Sequence, residues 1–386
     1  MKVALTVAGL SPEFGGPSRS VPALAEALAR EDIRVDVLAC ESQQEHSAPV
    51  LPNAKLVRTR LLPVRSRRGR WRAKQNDFFR LLSEIAHDND TLIHDNGLWL
   101  PTNHAIASAA RFLKRPLVIS PRGMLSKWAW HHRRWKKRVA WRLFQHRDLL
   151  SASVLHATSA QEVNDIRQAE FRGPVAMVPN GIDLPEFRSA SREARATHVA
   201  LCVARLHPVK GLMNLIEAWR QVRPIGWRMR IAGGDENGYR AELEAAITTR
   251  GLDGTFEFLG PVEGERKWAL YRDADLFVLP SHSENFGMGI AEALGSGVPV
   301  ITTRGTPWED LVHCRCGWWE EIGVAPLARA LREAMHLTSQ ERSEMGQRGR
   351  KLVEEKYSWR RVALEMKSVY EWLLSRGDRP PCVLSY

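Results

Sequence analysis

Two glutamates, two cations and a pair of adjacent glycines are the residues of this 386-residue chain whose types and spacing can do chemistry together. Glu284 and Glu292 lie eight positions apart in SHSENFGMGIAEALGSGVPVITT, residues 281–303. The first falls in a small-residue loop after an apolar run ending at Leu279-Pro280, and the second on a helix expected to begin near Met288. A helix start offers free backbone N–H groups and a partial positive charge to an anion or to hydroxyl oxygens. Carboxylates match the vicinal hydroxyls of sugars and riboses, so one can face the reacting part of a ligand while the other reaches a different part of it. Two helix-surface glutamates are the plain alternative. Against it, Gly287, Gly289, Gly295 and Gly297 around them mark close backbone approach to something.

Arg205 and Lys210, in ARLHPVKGL, are five apart across a short turn containing Pro208 and Gly211. Both cationic heads can converge on one diphosphate at a strand's C-terminal edge, although cations in a loop are more often solvated. Gly15 and Gly16, in PEFGGPSRS, follow the first apolar run and precede a helix from about Ser18. They leave a flat backbone surface open to a phosphate or an acceptor, with a plain tight turn as the competing reading. There is no G-x-G-x-x-G and no P-loop, which argues against simple dinucleotide binding and ATP hydrolysis.

These residues need elements to hold them. The length suits two domains better than one core. Apolar runs of four to seven residues alternate with helical stretches, the pattern of a parallel sheet covered on both faces. The strands predicted in the first half are Val3–Ala8, Val35–Ala39, Lys55–Arg58, Leu92–Asp95, Leu117–Ser120, Val154–Ala157 and Val175–Val178. A polar segment, Arg188 to Thr197, suits a linker. A second series follows, with strands Val199–Ala204, Arg230–Ala232, Phe256–Leu259, Leu276–Leu279 and Val300–Thr302, and helices such as Met213–Val222 and Arg240–Arg250. Helical pattern fills most of 325–376. The fold class expected is α/β, with two consecutive doubly wound domains and ligand in the crevice at the C-terminal ends of the strands.

Charge is uneven along the chain. The net charge is +12, and residues 1–180 carry 28 Lys and Arg against 16 Asp and Glu, whereas 181–386 carry 28 of each. Two stretches account for the excess. Residues 58–74 hold eight Arg or Lys and no acid; residues 127–147 are as basic, also without acid, with Trp128, Trp130, Trp135 and Trp141 interleaved. Cations interleaved with Trp suit the anionic interface of a membrane, with a solvated basic face as the alternative. Nothing else here resembles a nucleic-acid module, so no nucleic-acid partner is expected. No apolar run is long enough to span a bilayer, and the N-terminus reads as a first strand rather than a signal peptide. The five cysteines are an odd, scattered set that fits a reducing compartment. Cys314 and Cys316 lack the second ligand pair of a zinc site, and no metal is expected. Asp273-Ala274-Asp275 reads as a helix-end turn rather than a metal-holding D-x-D.

Gly15-Gly16, Pro179-Asn180-Gly181-Ile182-Asp183, Arg205 with Lys210, FLGPV at 258–262, and above all E-x7-E at Glu284 and Glu292 together resemble family 4 of the glycosyltransferases, also called glycosyltransferase group 1. The resemblance covers nearly the whole chain. It implies the GT-B fold, two Rossmann-like domains facing each other across a cleft. Residues 1–187 would bind acceptor, 188–357 the nucleotide sugar, and 358–386 would form a helix crossing back to the first domain, with a tail. It also implies retaining transfer from a nucleotide-diphosphate sugar, with no cofactor. Arg205 and Lys210 would hold the diphosphate, Glu284 the donor sugar and Glu292 the ribose. Gly16 and the stretch Asn285, Phe286, Gly287 and Met288 would line the donor site, with Val262 near the base. Many members carry His-Gly after a late strand of the first domain; here VISPRGML has Arg122 before Gly123. Arg cannot act as a base at neutral pH and is expected to bind an anion. His94 and Asn96, in LIHDNGLW, join Arg122 as acceptor-side candidates, with a structural role as the plainer reading for His94.

The expected partners are therefore a nucleotide-sugar donor, a saccharide or polyprenyl-linked acceptor and an anionic membrane surface, for a cytoplasmic protein peripheral on the inner face of the cell membrane. The expected role is surface polysaccharide or glycolipid biosynthesis. Competing readings are a binding protein on the same scaffold that has lost catalysis, a transferase acting on a soluble acceptor, and a sugar phosphorylase, whose cofactor lysine is not identifiable.

Overall fold

The computed structural model describes residues 1–11, 14–41, 48–63, 70–126, 129–130, 134–185 and 197–385, without the side chains of 70–76 and 134. The chain forms two compact units: Met1–Gly181 with Trp359–Tyr386, and Ile182–Ser358.

In the first unit, β1 (Lys2–Gly9), β2 (Arg34–Cys40), β3 (Arg58–Leu62), β4 (Thr91–Asn96), β5 (Leu117–Ser120), β6 (Val154–Ala157), β7 (Val175–Met177) and β14 (Val383–Leu384) form one sheet of order β14-β7-β6-β5-β4-β1-β2-β3. All pair in parallel except β14, which runs antiparallel to β7. The near-continuous apolar sequence of β1 follows from burial on both faces. Val3, Leu5 and Val7 join the helices Pro17–Arg30 and Trp359–Leu373 in one core, whereas Ala4 faces a second core under the helices Arg70–Ile85 and Pro101–Leu113. Pro17 opens its helix where the missing N–H costs nothing.

In the second unit, β8 (His198–Val203), β9 (Trp227–Ala232), β10 (Phe256–Gly260), β11 (Leu276–Leu279), β12 (Val300–Thr303) and β13 (Gly317–Glu320) form an all-parallel sheet of order β10-β9-β8-β11-β12-β13 around a single core. Both sheets therefore step outward from a first strand, return, and continue on its other side. The order reverses between β1 and β4 and between β8 and β11, where such folds leave room for a ligand beyond the strands' C-terminal ends.

Several expectations need correcting. Residues 55–57 are not strand: the carbonyl of Asn53 accepts the N–H groups of Leu56 and Val57, and its side chain that of Lys55. This Asn-centred turn displaces the strand to Arg58–Leu62. β13 and β14 were not foreseen. β13 rests on Gly317, where a Cβ would lie 2.2 Å from the Val300 carbonyl oxygen, and β14 is only two residues long. The first unit ends at Gly181 rather than at 187, because Ile182 is buried and bridges in parallel to Ser358 within the second. The linker proposed at 188–197 lies outside the described residues apart from Thr197, as do residues 64–69 and 131–133 of the basic stretches, with Lys127 and Trp128. Among the described residues, no helix is long and apolar enough to cross a membrane.

Candidate active site

At the reversal point of the second sheet, two loops are locked together. After β8 the chain passes Arg205 and enters the 3₁₀ turn Pro208–Lys210, capped by His207, whose Nδ1 accepts the Val209 N–H at 3.1 Å. Gly211 follows at φ +68°, where a Cβ would lie 2.1 Å from the Pro280 carbonyl oxygen. Only glycine lets the loop after β8 lie this close to the end of β11. The His282 N–H donates to the Val209 carbonyl at 2.7 Å, closing the same contact.

That contact brings Lys210 to Glu284. The Lys210 ammonium donates to Glu284 Oε1, which also accepts from Ser281 Oγ at 3.0 Å, and the two side chains are 13% and 14% exposed. Glu284 is held from behind by its own N–H, which donates to the Gly305 carbonyl at 2.8 Å. The buried Cys202 thiol, within electrostatic reach of this pair, is pushed up to about 12 by burial, with the Lys210 charge opposing the rise and the Glu284 charge adding to it.

Glu292, on the helix Met288–Gly295, has its own lysine. Lys267 Nζ donates to Oε1 at 2.7 Å, and the hydroxyl of the fully buried Tyr271 donates to Oε2 at 2.9 Å. Burial, reinforced by the Glu292 charge, raises the Tyr271 hydroxyl well above its ordinary range. Neither residue stands out in the sequence. Their spacing, four apart on the helix Gly264–Asp273, is the signal available, since it puts both on one face.

The other residues fall into place less uniformly. Arg205 is exposed and ion-paired with Glu236 at 2.5 Å, so in this structure its head is turned to Glu236 while that of Lys210 is held by Glu284. The Phe286 ring packs on Trp308 and Tyr357 and its carbonyl accepts the Trp308 indole N–H, so neither its ring nor its carbonyl is free to line a site. Asn285 and Met288 are half-buried and Val262 is buried. Gly287 caps the helix at φ +84°. The glycine-rich pattern has a different cause from the one expected: a Cβ on Gly295 would lie 2.8 Å from Ile182, and one on Gly289 3.1 Å from the Val203 carbonyl. These glycines admit the protein's own core, and ligand approach is not needed to explain them.

In the first unit, Gly15 (φ +76°) and Gly16 precede the helix Pro17–Arg30 with open space where their Cβ atoms would stand. Asn96, Arg122 and Asn180 gather at the ends of β4, β5 and β7: Arg122 Nε and Nη2 donate to Asn96 Oδ1 at 3.0 and 2.7 Å, and Nη1 donates to Asn180 Oδ1 at 2.8 Å. His94 does not join them as an accessible group. It is fully buried, with Nδ1 on the Tyr370 hydroxyl at 2.6 Å and Nε2 on Ser120 Oγ at 2.7 Å. Ser120 Oγ also meets His156 Nδ1 at 2.6 Å, and His156 Nε2 donates to the Val178 carbonyl at 2.7 Å. Burial drives both histidines down, His156 to about 3, with the Arg122 charge adding to it.

Two parallel sheets whose strand order reverses beside β1 and β8 define two consecutive doubly wound domains. Family models bear this out: one described as glycosyl transferase 4-like domain matches residues 15–181, and one described as glycosyl transferases group 1 matches 184–352. The chain belongs to the group 1 glycosyltransferases and has the GT-B fold. Among its relatives is an Escherichia coli protein named as a colanic acid biosynthesis glycosyltransferase, WcaL, 29% identical over 60% of this chain and 58% of that one. A D-inositol 3-phosphate glycosyltransferase of Pseudarthrobacter chlorophenolicus is 31% identical over 42% of this chain and 41% of that one. The chain thus spans about half the length of the curated relatives it matches. Anabaena HepE, solved with UDP-glucose, superposes with a TM-score of 0.72 at 20% identity, covering 96% of this chain and 100% of that one, which is a likeness of fold.

Proposed function

We propose that this protein is a retaining glycosyltransferase that moves a sugar from a nucleoside diphosphate sugar to a saccharide acceptor carried on a lipid, in surface polysaccharide or glycolipid biosynthesis. The observation that carries the reading is the half-buried Lys210–Glu284 pair at the reversal point of the second sheet, beside a second carboxylate, Glu292, at the spacing characteristic of the family. A nucleoside diphosphate donor accords with the UDP-glucose held by HepE, and polysaccharide biosynthesis with the name of WcaL.

In this reading the diphosphate lies against Lys210 and Arg205, the sugar hydroxyls against Glu284 and the ribose against Glu292. The bond from the anomeric carbon to the diphosphate oxygen breaks while the acceptor hydroxyl forms its bond on the same face. Its proton passes to the departing phosphate oxygen, so no side chain need serve as base. Lys210 and Arg205 stabilise the charge that grows on the leaving diphosphate, the role a metal ion fills in other transferases.

The test is turnover of a donor panel, identified first by thermal shift, with Lys210→Ala, Glu284→Gln and the parent chain. Each variant should lose ~100-fold or more in turnover, since a charged contact that strengthens in the transition state is worth about 3 kcal/mol or more. Activity of the parent chain should survive excess EDTA. Normal turnover in both variants would remove the proposed site, and loss on chelation restored by a divalent ion would replace its mechanism.

A further inference from the structure

Arg122 sits in an unusual electrostatic position. It follows β5 in the left-handed region, at φ +54°, a conformation costing a non-glycine residue about 1 kcal/mol or more. Its half-buried guanidinium is fixed from two sides by Asn96 and Asn180, and both acceptors are neutral amide oxygens. Among the described residues, no carboxylate pairs with it. Glu162, whose charge acts on Arg122, has its oxygens occupied by the Gly123 N–H at 2.6 Å, the Thr158 N–H at 2.8 Å and the Thr158 hydroxyl at 2.9 Å. Behind it stand His94, His156 and the Tyr370 hydroxyl, none of which brings a negative charge.

A cation withdrawn from water without a counter-ion is costly, and burial lowers the basicity of Arg122 accordingly. Of the five N–H donors of a guanidinium, one on Nη1 and one on Nη2 have no acceptor among the described residues. The three strands that deliver Asn96, Arg122 and Asn180 are parallel, so the group lies at the C-terminal edge of the sheet, where ligands of such folds bind.

We propose that Arg122, clamped by Asn96 and Asn180, is an anion site on the first unit that takes a phosphoryl group of a substrate. The planar fork of Arg matches two phosphoryl oxygens at once, and the anion supplies the missing counter-charge. The two amides hold the fork in place before the ligand arrives, which lowers the ordering cost of binding. The phosphoryl group belongs either to the donor diphosphate or to the acceptor. That choice alone rests on the proposed function; the anion site itself does not.

The full chain and its Arg122→Lys, Arg122→Gln and Arg122→Gly variants would be titrated with inorganic phosphate and with UDP, following heat and melting temperature. Glycine suits the left-handed backbone, so Arg122→Gly removes the cation while relieving the turn, and circular dichroism confirms folding. Saturable, salt-sensitive phosphate binding should weaken at least ~10-fold in the Gln and Gly variants and by less in the Lys variant, which keeps the charge but loses the fork. If UDP binding weakens alongside, the site serves the donor diphosphate. If UDP binding is unchanged, it serves a phosphoryl group on the acceptor. Phosphate binding that is absent from the parent chain, or equal in the parent, Gln and Gly proteins, overturns the proposal. Lys210→Ala separates the two readings: normal UDP binding by that variant would sink the donor site while leaving the phosphate result at Arg122 intact.

Discussion

A carboxylate that is mostly out of water must be paired, and the partner then decides where it points. Glu292 is 13% exposed between Lys267 and Tyr271, one partner on each oxygen. A carboxylate has about four lone-pair sites, so two remain for the hydroxyls of a ribose without displacing either partner. In the proposed function, Lys267 is therefore a positioning residue. Lys267→Met should raise the donor KM about 10-fold with kcat nearly unchanged, because a ribose contact is the same in ground and transition states. Steady-state kinetics would show it, and an equal fall in kcat would assign Lys267 to the chemistry instead. The E-x7-E spacing was legible in the sequence because both residues sit on one local segment. Lys267 was not, because its link to Glu292 crosses 25 positions and exists only through the packing of one helix on another.

Elements decide which way a side chain faces, and here sequence composition was a partial guide. Of the tryptophans in the basic stretch, Trp130 and Trp141 turn inward onto Trp99, with ring centroids 5.1 and 6.1 Å from it, whereas Trp135 is 69% exposed. Along the helix Arg134–Ala140 and the π-helical turn Trp141–Gln145, the exposed apolar residues are Trp135, Val139 and Leu143, at intervals of four, with exposed Lys136, Arg138 and Arg142 between them. An apolar ridge flanked by cations is the form of an interfacial helix. Replacing Trp135 and Leu143 by Ala, or Lys136, Arg138 and Arg142 by Gln, should weaken cosedimentation with anionic liposomes, the three cations together by about 100-fold at about 1 kcal/mol each near the surface. Equal binding of the parent chain to neutral and anionic liposomes would leave a solvated face. Lys137 is left out of the set because it donates to the Ala129 carbonyl beside Trp99, making it part of the fold. In the same unit, strands β4, β5 and β6 and the helix Trp359–Leu373 are joined by a one-way relay: Tyr370 donates to His94, His94 to Ser120, Ser120 to His156, and His156 to the Val178 carbonyl. Every donor and acceptor is used only while both rings are neutral. Their folded pKa values lie below the unfolded value of about 6.5, so the unfolded chain binds more protons on acidification and stability falls as pH drops below that value. Each histidine contributes up to about 1.4 kcal/mol per pH unit. Asp95, raised to about 6 by burial, acts in the opposite sense and offsets one of them between about pH 4 and 6. Denaturant midpoints of the parent chain should therefore fall as pH drops below about 6.5, and His156→Gln should flatten the slope; a pH-independent midpoint there would contradict the relay.

At the scale of the molecule, the first unit is assembled from two separated stretches and the second from one. Trp359, Val362, Ala363, Met366, Val369 and Tyr370 all enter the core against β1 and the helix Pro17–Arg30. At about 1.5–3 kcal/mol for each large side chain, their burial is comparable to the whole stability of a domain, about 5–15 kcal/mol. A chain ending at Ser358 should therefore lose hydrogen-exchange protection throughout β1–β7 while keeping it in β8–β13. Undiminished protection in β1–β7 would show those contacts to be dispensable. The layering of both sheets was readable from apolar runs, because a strand buried on both faces needs a local sequence of one kind. The discontinuity was readable only through family resemblance, since nothing local in 359–385 names the sheet it will join. It also imposes an order in time. A ribosome delivers residues 1–181 first, yet the strands of that half emerge without the helix that seals one of their faces, and the intervening 177 residues of the second unit appear and can fold before it arrives. The unit begun first is the one finished last, so during translation its unsealed face is what a chaperone would meet.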